Sequence, residues 1–324
     1  MIVVTGGAGF IGSALIWGLN KNSYNDILVV DALGSDERWK NLVNLQFYDF
    51  VHKADFIVRL ERGDFGHAID GIIHMGACSS TTEKNADFLL ENNYEYSKRL
   101  AKWCIQRQRR FVYASSAATY GDGTRGFSDE HAGLADLKPL NMYGYSKQLM
   151  DLWAFNKGHL KTIAGLKYFN VFGANEYHKE DMRSVVHKAF EQILNGGSVR
   201  LFKSYQTEYK DGWQLRDFLY IKDAVAMTLF VYEHGDINGI FNIGTGTARS
   251  FYDLVAAVFN ALGKEISIDY IKMPESIRDK YQYYTCAEMD KLRRTGFDKP
   301  LFSLEEGISD YVKNYLLSSD LYLG

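Results

Sequence analysis

Thr5-Gly6-Gly7-Ala8-Gly9-Phe10-Ile11-Gly12 decides the fold. It follows the apolar, β-branched run Ile2–Thr5 and opens a helical pattern that reaches about Asn20. Gly6, Gly9 and Gly12 are spaced G-x-x-G-x-x-G, one residue longer than the G-x-G-x-x-G of a Rossmann turn. The physical demands are the same. Gly6 permits a tight turn, Gly9 lets the backbone approach a pyrophosphate, and Gly12 lets the helix pack closely on the strand. The helix start supplies unpaired N–H groups and positive dipole for phosphates. A glycine triplet alone reads equally as a plain turn. Here a second apolar strand, Ile27–Asp31, ends in an acid about 20 residues on, where a ribose hydroxyl is bound in dinucleotide sites.

Asp31 suits a free 2′-hydroxyl and hence NAD. Arg38 and Lys53 lie just beyond it and could hold the 2′-phosphate of NADP. Residue chemistry alone leaves both cofactors open.

Working outward, strands are expected at Leu45–Asp49, Gly71–Met75, Arg110–Ser115 and Thr162–Phe169. Helical patterns cover about Lys84–Gln108 and Tyr143–Gly158. Alternating β and α elements with fully apolar strands predict an α/β fold, a Rossmann-type doubly wound parallel sheet covered on both faces. After Asn170 the pattern changes. Helices are expected at about 182–194, 222–234, 251–262, 287–294 and 304–317, around a polar, aromatic stretch at Phe202–Gln214. Gly239–Ile243 reads as a further strand of the main sheet. The expected division is a dinucleotide-binding domain at 1–170 with returns at about 216–244. A smaller, mixed α/β substrate domain then takes 171–215 and 245–324.

The 324 residues carry 37 basic and 40 acidic side chains, a net charge of −3. That balance speaks against nucleic acid as the main partner. Cys78, Cys104 and Cys286 are too far apart for a zinc spacing or a disulfide framework, so no metal is expected and a reducing compartment is. No signal-peptide pattern and no apolar run of about 18 residues is present, which predicts a cytoplasmic protein off the membrane.

Tyr143-Gly-Tyr-Ser-Lys147 places a phenol and an ammonium at i and i+4, on one helix face. An ammonium favours the phenolate and lowers a pKa that is ordinarily about 10. Such a pair can take a proton from a hydroxyl as hydride leaves the same carbon. Tyr94 and Lys98 satisfy the same spacing, but inside a helix that covers the sheet. Tyr143 follows a loop from the carboxyl end of the fifth strand, the edge where open α/β sheets bind ligands. Ser116 leaves that same strand end. Taken alone it reads as a turn residue; with Tyr143 and Lys147 it completes a Ser–Tyr–Lys set.

Together these residues resemble the extended short-chain dehydrogenase/reductase family over nearly the whole chain, including Arg216-Asp217-Phe218 and Phe241-Asn242-Ile243-Gly244. Gly76-Ala-Cys-Ser-Ser-Thr-Thr-Glu83, Pro139–Lys147, Tyr168-Phe-Asn-Val-Phe-Gly173 and His178-Lys179 are similar to its ADP-heptose 6-epimerase branch. Dehydratases of the family carry an acid after a strand-end threonine. Ser116-Ala117-Ala118 does not, which speaks against dehydration.

The resemblance implies inversion at C6 of an ADP-linked heptose through a transient 6-keto sugar, with Tyr143 and Lys179 as the two acid/base residues supported by Lys147 and Ser116. It implies an NADP site, with NAD possible, formed by Gly6, Gly9, Phe10, Ile11, Gly12, Asp31, Ala32, Arg38 and Lys53. Met75, Gly76, Ala77, Cys78, Ser79, Asn92, Lys147, Val171 and Lys179 complete that site. It implies an ADP-sugar site at Asn170, Asp181, Lys188, Phe202, Lys203, Ser204, Tyr205, Arg216 and Tyr281. Asp181 and Lys188 depart from the branch pattern, which has a small hydroxyl residue and a histidine there. The resemblance further implies a cytoplasmic homo-oligomer, a pentamer, serving lipopolysaccharide inner-core synthesis.

Overall fold

The computed structural model describes residues 1–278 and 281–324. The strands are β1 (Ile2–Thr5), β2 (Ile27–Asp31), β3 (Asp49–His52), β4 (Gly71–His74), β5 (Arg110–Ser116), β6 (Ala164–Tyr168), β7 (Asn170–Phe172), β8 (Val199–Phe202), β9 (Leu215–Tyr220), β10 (Gly239–Ile243), β11 (Ala248–Ser250) and β12 (Ile268–Ile271). Seven form one parallel sheet in the order β10-β6-β5-β4-β1-β2-β3. Winding reverses between β1 and β4, so a crevice opens at their carboxyl ends.

β1, β2, β4 and β10 are buried at every position, as a sheet covered on both faces requires. One apolar layer packs the helix Phe10–Lys21 and helix Ile221–Glu233 on one side. The other packs helices Lys53–Arg62, Tyr96–Gln106 and Met142–Asn156 on the opposite side.

Three differences from the sequence reading have simple causes. The third strand is Asp49–His52, not Leu45–Asp49. Leu45 is buried in the turn before it, and the true strand is a mostly exposed sheet edge without an apolar run. The Lys84–Gln108 helix is broken into Ala86–Leu89, a π-helical segment Leu90–Glu95, and Tyr96–Gln106. Residues 215–220 do not enter the main sheet but pair with β7 and β11 in a three-stranded sheet, while β8 and β12 form a two-stranded one. The return to the main sheet is made by β10 alone, beside β6.

Candidate active site

The crevice holds a cavity of about 700 Å³. Its floor is the glycine turn. Gly6 takes φ +65°, and a Cβ there would lie 2.6 Å from Gly76 Cα, beyond β4. A Cβ on Gly12 would lie 2.0 Å from the Gly6 carbonyl oxygen. Gly9 is the N-cap of helix Phe10–Lys21, and no side chain caps it. The first N–H groups therefore face the cavity unclaimed, as a bound pyrophosphate needs. Gly12→Ala is expected to weaken dinucleotide binding at least ~10-fold, because backbone rather than a flexible side chain must move. Isothermal titration measures it, and wild-type affinity would show that the close approach is dispensable.

At the end of β2, the Asp31 carboxylate accepts from Ala8 N at 2.9 Å and Ala32 N at 2.7 Å. Burial raises its pKa, against the opposing pull of those two N–H groups, Arg38 and Lys53. Arg38 Nη1 stands 3.8 Å away. Arg38 is, however, fork-paired with Asp36, which also lines the cavity and which the sequence did not single out. Lys53 donates to Asn92 Oδ1 at 2.5 Å, and neither they nor Ala32 line the cavity. Phe10, Ile11, Met75 through Ser79 and Val171 do.

On the other side of the switch point, Asn141 caps helix Met142–Asn156 and delivers Tyr143 and Lys147 to the cavity beside Ser116. Lys147 Nζ donates to the Ala114 carbonyl at 2.8 Å. Its pKa is lowered to about 8 by burial, against Asp151 and Cys78. The Tyr143 phenol is raised by burial, with a hydrogen bond to Ser116 pulling it down and Cys78 pushing it up. The expected lowering of the phenol by Lys147 is outweighed by burial, which raises it. The ammonium is spent on Ala114, and burial dominates both groups.

Two buried polar networks hold this corner. Asn93 donates to Cys78 O and Ser146 Oγ and accepts from Cys78 N at 2.8 Å, tying the Cys-Ser-Ser segment to the Tyr143 helix. Asp151 pairs with Lys167 at 2.7 Å, both fully buried, and accepts from Ser115 and Tyr113. The rival pair lies elsewhere. Lys98 Nζ sits 4.2 Å over the Tyr94 ring and pairs with Glu95, and neither residue of that pair lines the cavity.

Lys179 reaches the cavity from the loop after β7, its Nζ 5.4 Å over the Phe10 ring. Burial lowers its pKa, against Glu176. Buried Glu176 accepts from both N and Oγ of Ser184 and so pins the loop's two ends. His178, the alternative base, is lowered to about 4 by burial and then Arg38, and its Nδ1 lies 3.3 Å from Asn41 Nδ2. It sits toward the Asp36–Arg38 end.

Asn170 lines the cavity, whereas Asp181 and Lys188 do not; Lys188 donates to the Asp181 carbonyl. Arg216 is 8% exposed, and its guanidinium lies 5.2 Å from the Tyr281 ring and 5.6 Å from that of Phe251, a cavity residue. It donates to the carbonyls of Leu215 and Gln282. Asp217 is not its partner: that carboxylate accepts from Thr245, Gly246 and Ala287. Among the described residues no carboxylate pairs with Arg216. Phe202 meets Tyr281 edge-on at 6.3 Å, and neither they nor Arg216 line the cavity. Lys203, Ser204 and Tyr205 do not reach the cavity; Ser204 N donates to Asp211, and Arg278 covers the Tyr205 ring at 4.1 Å. No group of three or more potential metal ligands occurs among the described residues, and no described helix is long and apolar enough to cross a membrane.

A nucleotide-cradling turn, a buried Ser–Tyr–Lys corner and a facing lysine define a class, and residues 2–244 match the NAD dependent epimerase/dehydratase family. The chain belongs to that family, among the extended short-chain dehydrogenases/reductases. Within it, the chain is 54% identical to the ADP-L-glycero-D-manno-heptose-6-epimerase of Nitratidesulfovibrio vulgaris, with 100% of both chains covered. It is 47% identical to that of Fusobacterium nucleatum, again over 100% of both. The crystal structure of the Helicobacter pylori ADP-L-glycero-D-manno-heptose-6-epimerase superimposes with a TM-score of 0.82 at 29% identity, covering 97% of this chain and 95% of that one.

Proposed function

We propose that this chain interconverts ADP-D-glycero- and ADP-L-glycero-D-manno-heptose through a transient 6-keto sugar, with a nicotinamide dinucleotide, NADP or NAD, held throughout turnover. One observation carries the reading: Tyr143 and Lys179 arrive from different elements at the wall of the same cavity. Inversion presents the two faces of one carbon in turn, so the substrate oxygen occupies two places. One rigid phenol does not serve both, because proton transfer needs a heavy-atom separation of about 2.6–3.2 Å or one bridging water.

The glycine turn, Asp31 and the Arg38 region would hold the dinucleotide. Bound, the oxidised nicotinamide supplies the hydride acceptor and a positive charge. The chain's own groups do the rest. Tyr143, steadied by Ser116 and Lys147, takes the C6 hydroxyl proton in one half-reaction. Lys179, with an ammonium already made less stable by burial, exchanges the proton in the other. Residues 1–170 with the β10 return would form the dinucleotide unit, and the later segments the sugar-nucleotide unit. A cytoplasmic homo-oligomer belongs to the same reading, and light scattering on the purified protein measures the assembly.

Arg216 would bind the substrate diphosphate, since a guanidinium forms bidentate charge-assisted bonds that an ammonium does not. Arg216→Lys is expected to raise KM for the ADP-sugar about 10-fold with little change in dinucleotide affinity; an unaltered KM removes the assignment. The function itself is tested by incubating purified protein with ADP-D-glycero-D-manno-heptose and no added cofactor. Formation of the L-glycero epimer supports it. Stoichiometric oxidation of NADPH would instead identify a reductase.

A further inference from the structure

We propose that Asp36 sets the choice of cofactor: its carboxylate occupies the Arg38 fork on the cavity wall, so that the site disfavours the 2′-phosphate of NADP and accepts NAD as well. The inference rests on the dinucleotide reading of this cavity. By sequence, Arg38 is the residue that would welcome a phosphate. In the structure its fork is already taken. Arg38 Nε lies 2.9 Å and 3.1 Å from the two Asp36 oxygens, and Nη2 lies 2.6 Å from Oδ2. The third nitrogen, Nη1, stands 3.8 Å from Asp31.

Two carboxylates thus share one guanidinium where the ribose would end. A phosphate dianion arriving there has to break a bidentate, charge-assisted pair and then sit beside both acids. A 2′-hydroxyl meets no such opposition, because the Asp31 carboxylate can accept a hydrogen bond from it. Lys53 pulls on Asp31 too, but its ammonium donates to Asn92 and does not line the cavity. Arg38 also holds the Asp36 carboxyl below its ordinary range, so the opposing charge is present at neutral pH.

Asp36 has a second duty. It is the N-cap of the 3-10 helix Glu37–Leu42, accepting from Arg38 N at 3.0 Å. Asparagine keeps that cap and removes the charge, since both residues are good caps. The test compares wild-type protein with Asp36→Asn, expressed in the same host and purified with their bound dinucleotide. Each is denatured, and released NADP and NAD are quantified by chromatography; fluorescence titration with NADPH and NADH gives the affinities.

The NADP:NAD ratio is expected to rise about 10-fold or more in Asp36→Asn, by removal of one facing charge. The NADH affinity should stay near wild type. In an Arg38→Ala background the same substitution should give a much smaller gain. Three results overturn the proposal: an unchanged ratio, an equal change for both cofactors, or wild-type protein that carries and binds NADP alone. Protein that binds neither dinucleotide overturns the site reading with it, a failure the titration separates from the others.

Discussion

Tyr143→Phe is expected to lower epimerisation about 10²–10⁴-fold, the usual contribution of a positioned acid/base group, while folding and dinucleotide binding persist. The ring keeps its place, because the helix around it is fixed by Asn141 at its start and by the Asn93–Ser146 bond. What is lost is the hydroxyl beside Ser116. Burial raises the phenol above its ordinary pKa, and Lys147 Nζ donates to the Ala114 carbonyl. Steady-state assays by NMR measure the rate loss. Tyr94→Phe is the control: near-normal turnover by Tyr143→Phe beside a dead Tyr94→Phe would reverse the choice of pair.

Lys179→Met is expected to lower epimerisation of the natural sugar by at least about 10²-fold, with dinucleotide still bound. Methionine keeps a flexible stem of similar length and removes the ammonium, with its charge and exchangeable protons, from above the Phe10 ring. A lysine serving only as a solvated loop charge would tolerate this. Lys179 is instead half-buried, and burial lowers its pKa against the opposing pull of Glu176. Circular dichroism and bound-cofactor absorbance establish that the variant is folded and loaded. Wild-type-like epimerisation then refutes the two-base scheme and leaves Tyr143, or His178, to serve both faces.

The parts of this molecule governed by short-range rules were legible in its sequence. The glycine turn, the apolar parallel strands and the Tyr143–Lys147 spacing each follow from local geometry, and all meet at the cavity. What escaped depends on partners far along the chain. β7, β9 and β11 are short strands whose register exists only through mutual pairing. Asn93 looks like any polar helix residue until Cys78 and Ser146 close on it. Lys167 reads as an exposed charge in an apolar strand, yet Asp151 and Thr119 bury it completely. One local partner also went unread: Asp36, two residues before Arg38, takes the fork of that arginine. Asp181 and Lys188 came from a family pattern they do not match, and they lie off the cavity wall.

In the proposed reaction, hydrogen leaves C6 and returns to the opposite face within one active site. ADP-D-glycero-D-manno-heptose carrying deuterium at C6 tests it most directly, turned over by the purified protein in ordinary water and followed by mass spectrometry and NMR. The expected product is the L-glycero epimer with the deuterium retained at C6 and no net change in the oxidation state of the bound cofactor. Loss of the label to water, or no conversion by protein shown to carry its dinucleotide, would contradict it.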